Sequence, residues 1–257
     1  MLTDAQRART LERFAEHRRA WDSNPALREQ YGDWYGRVRA LLPDAALGPF
    51  VELGSGPGFA RSFIPDLLLT DVVRAPWHDR QMDAGALPFA DRTLGAIVLF
   101  DVLHHLSSPA TFFEEASRAL AVGGRVVMCE PYVSPLSFPV YKLFHDEPVR
   151  MTADPLADLP VPAQDQEKDP FDSNQAIPTL LFDRGGGAAA LARRFPLLKI
   201  VTIERLAGAS YPSSGGFRRG PLLPLPLWRG LYRAESRLPG WAFRLIGFRI
   251  LVALQKA

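Results

Sequence analysis

A chain of 257 residues with 47% hydrophobic and 23% charged residues can bury a substantial core, which excludes a disordered or fibrous protein. Its net charge of +2 excludes a global electrostatic partner, and its single cysteine, Cys129, excludes an internal disulfide and favours a reducing compartment. The polar, arginine-rich first residues show no signal-peptide core, and no uncharged apolar run approaches the ~18 residues of a membrane span, so a cytoplasmic protein is expected.

Residues 3–20 read as a charged helix with a thin stripe of Leu11, Phe14 and Ala15, broken at Asp22-Ser23-Asn24-Pro25. Pro25, as a first-turn proline, opens a second helix to about Leu42 carrying Tyr31, Trp34, Tyr35, Val38 and Leu41. Aromatics at that spacing pack a core, or, for Trp21, Tyr31 and Tyr35, line a pocket above a sheet. Residues 50–53 form a strand, 58–64 a short helix ended by Pro65, and 67–71 a second strand closing on an acid. Residues 81–83 read as a short third strand. The run 94–100 is apolar throughout, as a strand buried on both faces should be.

Ser108-Pro109 supplies an N-cap and first-turn proline for a helix to Ala121, which Gly123-Gly124 ends before a strand at 125–130. Alternation of strand and helix with short connections predicts an α/β fold with a mostly parallel sheet. Residues 131–178 contain nine prolines (131, 135, 139, 148, 155, 160, 162, 170, 178) and read as a lid or substrate-facing insertion, with 165–169 a solvated, mobile stretch. A helix over 176–195, loosened by Gly185-Gly186-Gly187, and strands at 199–204 and 248–253 follow, with a second insertion at 210–240. One domain is expected over 1–257: a helical cap (1–45), a donor-binding core (46–131) and the two insertions.

The chemistry starts where the first strand meets Gly54-Ser55-Gly56-Pro57-Gly58, a nucleotide-binding corner. The third glycine stands one residue earlier than in the dinucleotide pattern. Glu52 just before the turn would repel a pyrophosphate but welcome a cationic amino acid or sulfonium, so the corner reads as a site for S-adenosylmethionine. Asp71, at the end of the second strand, is placed to accept from both ribose hydroxyls, and an acceptor at Asp83 could take the adenine amino group. Phe100-Asp101-Val102-Leu103-His104-His105 sets polar groups at the same sheet edge.

Glu-x-Gly-x-Gly-x-Gly at 52–58, Asp71, Asp-Ala-x-x-Leu-Pro-Phe at 83–89 and Leu-His-His-Leu at 103–106 together resemble the class I S-adenosylmethionine-dependent methyltransferases, in their small-molecule branch, over about 48–131. The resemblance implies a Rossmann-like, seven-stranded sheet with helices on both faces and an antiparallel last strand. It also implies that Glu52, Gly54, Ser55, Gly56 and Gly58 face the methionine end of the donor. Asp71 with Val72 would hold the ribose, Asp83 and Ala84 the adenine, and Phe100 and Asp101 the far wall. Gly85 departs from the family, which often has a polar residue there.

The implied reaction is methyl transfer, leaving S-adenosylhomocysteine. A general base is needed only where the acceptor must lose a proton; His104 and His105 are the candidates, with Glu130 beside them. Glu130 and Tyr132 are expected to face the crevice, and Tyr31, Tyr35 and His145 to line the acceptor pocket, with His145-Asp146-Glu147 folding over it. His17 and His78 read as surface residues, and no metal is assigned. The apolar insertions suit a hydrophobic or amphipathic small molecule.

From Arg218 onward eight basic residues (Arg218, Arg219, Arg229, Arg233, Arg237, Arg244, Arg249, Lys256) face one acid, Glu235. They could meet an anionic substrate or a membrane surface, or form a solvated face whose arginine stems cover apolar surface. Nucleic acid is not expected as a partner, and the oligomeric state is open. Two other readings share the fold: a different reaction on the same cofactor, and a donor-binding protein without catalysis.

Overall fold

A computed structural model describes residues 2–157, 169–218 and 220–257. Two helices come first, α1 (Asp4–Ser23) and α2 (Pro25–Ala40), followed by β1 (Phe50–Leu53), β2 (Leu68–Asp71), β3 (Arg80–Gln81) and β4 (Leu94–Phe100). Then come α3 (Pro109–Ala119), β5 (Leu120–Pro131), α4 (Ser137–Phe144), α5 (Ile177–Phe182), α6 (Gly187–Arg194) and β6 (Leu198–Leu206). The chain closes with α7 (Ser210–Ser213), α8 (Leu225–Glu235), α9 (Phe243–Ile246) and β7 (Arg249–Lys256). The strands form one sheet in the order β3-β2-β1-β4-β5-β7-β6. β1 to β5 are parallel, whereas β7 runs antiparallel to both β5 and β6. The expected Rossmann-like, seven-stranded sheet with an antiparallel last strand is therefore present.

Every residue of β4 is buried because both sheet faces are covered. On one face Phe112, Phe113 and Ala116 of α3 join Ile177, Leu181 and Leu191 of α5 and α6. On the other, Leu27, Trp34 and Val38 of α2 pack with Phe59, Phe100 and Leu251. α3 begins as its sequence dictates: Ser108 Oγ accepts from the Thr111 N–H at 3.2 Å and Pro109 occupies the first turn.

Four expectations shift. The helix at 58–64 is only a 3-10 turn over Phe59–Ser62, and residues from the N-terminal helices fill the space, Trp21 stacking on Phe59 at 4.1 Å and Tyr35 on Phe63 at 5.2 Å. Gly123-Gly124 do not end α3. The helix stops at Ala119, Leu120 already pairs with Leu94, and the ladder resumes at Ala96↔Arg125, so the glycines sit in an irregularity inside β5. A Cβ at Gly124 would lie 2.9 Å from both the Ala121 and Gly95 carbonyl oxygens. The helix over 176–195 is two helices, α5 and α6, separated where Gly185 and Gly186 take positive φ. The third strand is Arg80–Gln81 rather than 81–83.

Of the stretch 165–169, residues 165–168 lie outside the described residues. Among its described residues the first insertion holds α4 and a buried run, Asp172 to Thr179. The basic segment is not a uniform solvated face. Arg218 pairs with Asp146 at 2.6 Å, Arg229 with Glu29, and Lys256 Nζ donates to the Leu120 carbonyl at 2.7 Å. Among the described residues no helix is long and apolar enough to cross a membrane.

Two glycine replacements separate a crowded site from an open one. Gly124→Ala is expected to lower unfolding free energy by ~1–3 kcal/mol through overpacking. Gly230→Ala, with nothing within 4 Å of its Cβ in α8, is expected to raise it by ~0.5–1 kcal/mol. Urea denaturation checks both.

Candidate active site

The glycine turn leaves β1 at the carboxyl edge with positive φ at Gly54, Gly56 and Gly58. At Gly54 a Cβ would meet Val102 Cγ2 at 2.6 Å, and at Gly58 it would meet Trp77 Cδ1 at 2.6 Å, so both positions need glycine for space as well as for φ. Gly56 is pinned at both polar atoms. Its N–H donates to Asp71 Oδ2 at 2.9 Å, and its carbonyl accepts from Trp77 Nε1 at 2.8 Å and lies 2.7 Å from His78 Nε2. His78 Nδ1 accepts the Ala75 N–H at 3.1 Å, so Nε2 carries the proton. Far from being a surface residue, His78 is 4% exposed and holds the turn. Asp71 Oδ1 also accepts the Val73 N–H at 2.9 Å. Each carboxylate oxygen keeps a lone pair for a ligand hydroxyl.

A cavity of about 2010 Å³ opens over this edge. Glu52, Gly54, Ser55, Gly56, Asp71, Val72, Asp83, Ala84, Phe100 and Asp101 all line it, as do Tyr31, Tyr35, His104, His105 and His145. The sequence-predicted residues are thus largely brought together. Gly58, Glu130 and Tyr132 do not line it. Gly58 faces Trp77, and Glu130 stands behind His104. Tyr132 packs within the α3-side core and donates to Asp183 Oδ2 at 2.7 Å, because alternation along β5 turns it away from the crevice. Asp83 Oδ1 accepts the Gly85 N–H at 2.8 Å, which gives Gly85 a local role in shaping the turn.

Glu52 is 1% exposed; the Tyr35 hydroxyl lies 3.5 Å from its Oε1, and the Ser55 side chain also hydrogen-bonds its carboxyl. Burial first, with a smaller contribution from Asp71, lifts its carboxyl from 4.5 to about 7. A buried acid that is hard to ionise alone fits a site awaiting a cation. At the end of β4, Asp101 adopts φ 60, uncommon away from glycine. Its Oδ1 receives Arg249 Nη1 at 2.5 Å. Arg249, 2% exposed, lies 5.0 Å from the Trp34 ring centroid, 5.5 Å from Phe100 and 5.7 Å from Tyr211. The sequence placed Arg249 among tail arginines; its partner, distant in the chain, becomes visible only once β7 joins β5.

The Leu103–His105 turn supplies the next wall. Glu130 Oε1 accepts the Val102 and Leu103 N–H groups, both at 2.9 Å, while Oε2 receives His104 Nδ1–H at 2.7 Å. His104 Nε2 lies 3.3 Å from Glu147 Oε2. Burial works against the charged ring, but Glu130 and Glu147 outweigh it and raise His104 to about 10. Burial acts to raise Glu147, yet the hydrogen bond from His104 and the neighbouring His105 and His145 hold it well below the usual carboxylate range. Glu130 and Glu147 thus favour the protonated ring, which makes His104 a poorer proton acceptor than the sequence suggests.

His145 sits beside Gln175 Nε2 at 2.9 Å, and burial lowers its pKa. His17 also lies inward, stacked on Phe217 at 4.5 Å. Burial, then Arg13 and Arg218, lowers it to about 4. Tyr141, Tyr211 and Phe217 complete the aromatic lining. Their scattered positions in the insertions gave no period by which sequence could find them.

The raised pKa of Glu52 fixes the sign of a stability test. Between about 4.5 and about 7 the folded protein keeps a proton that the unfolded chain loses, so the contribution of Glu52 to stability falls as pH rises through this window. Glu52→Gln, which mimics the protonated acid, is expected to melt higher than wild type at pH 8, with the difference vanishing near pH 4.5. Thermal unfolding at the two pH values checks it.

Residues 51–128 match the family model for a methyltransferase domain. No curated protein matches the chain in sequence. Among solved structures, the complex between the Haloferax volcanii Trm112 methyltransferase activator and a methyltransferase aligns with TM-score 0.51 and 14% identity, covering 100% of this chain and 99% of that one. Geranyl diphosphate C-methyltransferase from Streptomyces coelicolor, solved with Mg2+, geranyl diphosphate and S-adenosyl-L-homocysteine, aligns at 14% identity over 88% of this chain and 77% of that one, with TM-score 0.49. An S-adenosylmethionine-dependent methyltransferase from Mesorhizobium loti aligns at 18% identity over 88% and 98% of the two chains, with TM-score 0.47. The matched segment runs from β1 through the glycine turn into β5, and residues 51–128 therefore carry a methyltransferase domain, on a sheet of the class I fold.

Proposed function

We propose that the chain transfers the methyl group of S-adenosylmethionine to a small, partly hydrophobic acceptor held under its two insertions. One observation carries this reading: the glycine turn and the aromatic wall of Tyr31, Tyr141, Tyr211 and Phe217 share a single cavity of about 2010 Å³. That exceeds the ~300–1,000 Å³ of a one-ligand site and leaves room for donor and acceptor together. In this reading Glu52 and the turn backbone receive the methionine end, Asp71 and Val72 the ribose, and Asp83 and Ala84 the adenine, with Phe100 and Asp101 as the far wall. The cap at 1–45, the core at 46–131 and the two insertions act as one domain in the cytoplasm.

The step is an in-line displacement. A lone pair on the acceptor forms a bond to the methyl carbon as the carbon–sulfur bond breaks, and sulfur keeps that electron pair as the neutral thioether of S-adenosylhomocysteine. The protein's part is alignment and exclusion of water. A hydroxyl acceptor must also release its proton, and the two carboxylates that hold His104 make it a poor acceptor of that proton. His105 and Glu147 remain at that wall, while Glu130 acts by positioning His104.

Incubating the protein with donor carrying a labelled methyl group and a panel of phenols, polyenes and lipid-linked sugars is expected to label at least one member. Tight donor binding with no label on any member would favour a binding protein without methyl transfer. Asp71→Ala is expected to weaken donor affinity about tenfold or more, since charged hydrogen bonds contribute ~1.5–3 kcal/mol; an affinity within twofold of wild type would remove Asp71 from the donor site. Wild-type donor affinity is expected to rise from pH 6 to pH 8 as Glu52 ionises, and Glu52→Gln to flatten that rise. Calorimetric titration measures both.

A further inference from the structure

The geometry points to a binding site for one divalent transition-metal ion of the zinc class, formed by His104, His105 and Glu147 on the cavity wall. One ligand atom from each residue lies within 4.8 Å of the other two. The 3.3 Å between His104 Nε2 and Glu147 Oε2 is close to the edge of the tetrahedron described by ligands ~2.0–2.1 Å from a zinc ion. Two imidazoles and a carboxylate suit zinc and its neighbours rather than magnesium or calcium.

What stands behind the three residues supports the assignment independently. Glu130 takes the Nδ1–H of His104 at 2.7 Å and is itself fixed by the N–H groups of Val102 and Leu103, so Nε2 is the atom presented to Glu147. A carboxylate on the far nitrogen is the arrangement that orients metal-bound histidines. Gln175, 1% exposed, donates to Glu147 Oε2 at 3.1 Å. Its own Oε1 is buried with no hydrogen-bond partner among the described residues, although it lines the same cavity. The Asn174 N–H clamps the His104 carbonyl at 2.9 Å, so the turn carrying both imidazoles is braced against the segment that carries Gln175.

The ion would lie between His104 Nε2 and Glu147 Oε2, in reach of His105. With three protein ligands it keeps open positions, as catalytic sites do and closed structural sites do not. Placed there, it would polarise an acceptor oxygen and acidify a hydroxyl, whose proton then leaves to solvent before the oxygen attacks the methyl carbon. This role rests on the methyl-transfer reading; binding of the ion does not.

The full chain, stripped by a chelator, is titrated with Zn2+ by calorimetry and with Co2+ by visible absorption, and donor affinity is measured on the same preparation. One ion per chain and Co2+ ligand-field bands are expected. Glu130→Gln is expected to weaken Zn2+ binding 10–100-fold. Glu147→Gln and His105→Asn are each expected to abolish the Co2+ bands while the thermal transition stays cooperative. Wild-type protein that binds donor but shows no saturable Zn2+ binding would overturn the site, as would Zn2+ affinity unchanged in both Glu147→Gln and His105→Asn. Failure of donor binding with the ion site intact would count against the methyl-transfer reading instead.

Discussion

The carboxyl edge of the sheet depends on how Gly56 is held. A tripeptide rich in glycine has no shape of its own, since glycine loses more conformational freedom on folding than any other residue. Here its polar atoms are used by Asp71, Trp77 and His78, all from the segment after β2 begins. Ser55 extends the same fixation: its N–H donates to the Thr70 carbonyl at 2.8 Å and its Oγ accepts the Thr70 N–H at 3.0 Å. The turn is therefore an extension of the β1–β2 pairing. α1 closes over it, with Arg18 donating to the Pro57 carbonyl at 2.8 Å while lying over the Trp77 ring at 4.5 Å.

The same edge concentrates buried charge. Glu52, Asp71, Asp101, His104, Glu130 and Arg249 sit within one region, and all but Asp101 are at most 5% exposed. Removing such groups from water costs several kcal/mol per ion unless each is paired or hydrogen-bonded. Arg249 with Asp101, and Glu130 with His104, satisfy that condition within the chain. Glu52 does so less completely, through Ser55 and a long contact from Tyr35. One acid at this edge is thus poorly compensated within the chain, a stability cost of the kind that functional sites retain.

What the sequence made legible follows from the range of the interaction that decides each element. β4 was readable to the residue because burial on both faces leaves an uninterrupted apolar run. α3 was readable at its start, where Ser108 and Pro109 are local signals, and misread at its end. Gly123-Gly124 look like a helix stop, but pairing of Leu120 with Leu94 extends the strand back through them. The cavity residues around the glycine turn were legible because they fall at strand ends in one stretch. Arg249, Glu147 and Gln175 come from elsewhere, and their roles arise from tertiary contacts that leave no period or spacing behind. His78 shows the limit most plainly, since a lone histidine in a loop carries no sign that a glycine carbonyl lies beneath it.

The position of β7 has a consequence for how the protein acquires its site. Because β7 is inserted between β5 and β6, pairing it requires two distant strands to be in place, a non-local closure that slows folding. Arg249, its first residue, is also the partner of Asp101. A partly folded form with β1 to β5 in register would hold the glycine turn and Asp71 ready while Asp101 lacked its cation and the aromatic rings around Arg249 stood apart. The glycine turn and the opposite wall are therefore closed by contacts of very different sequence range.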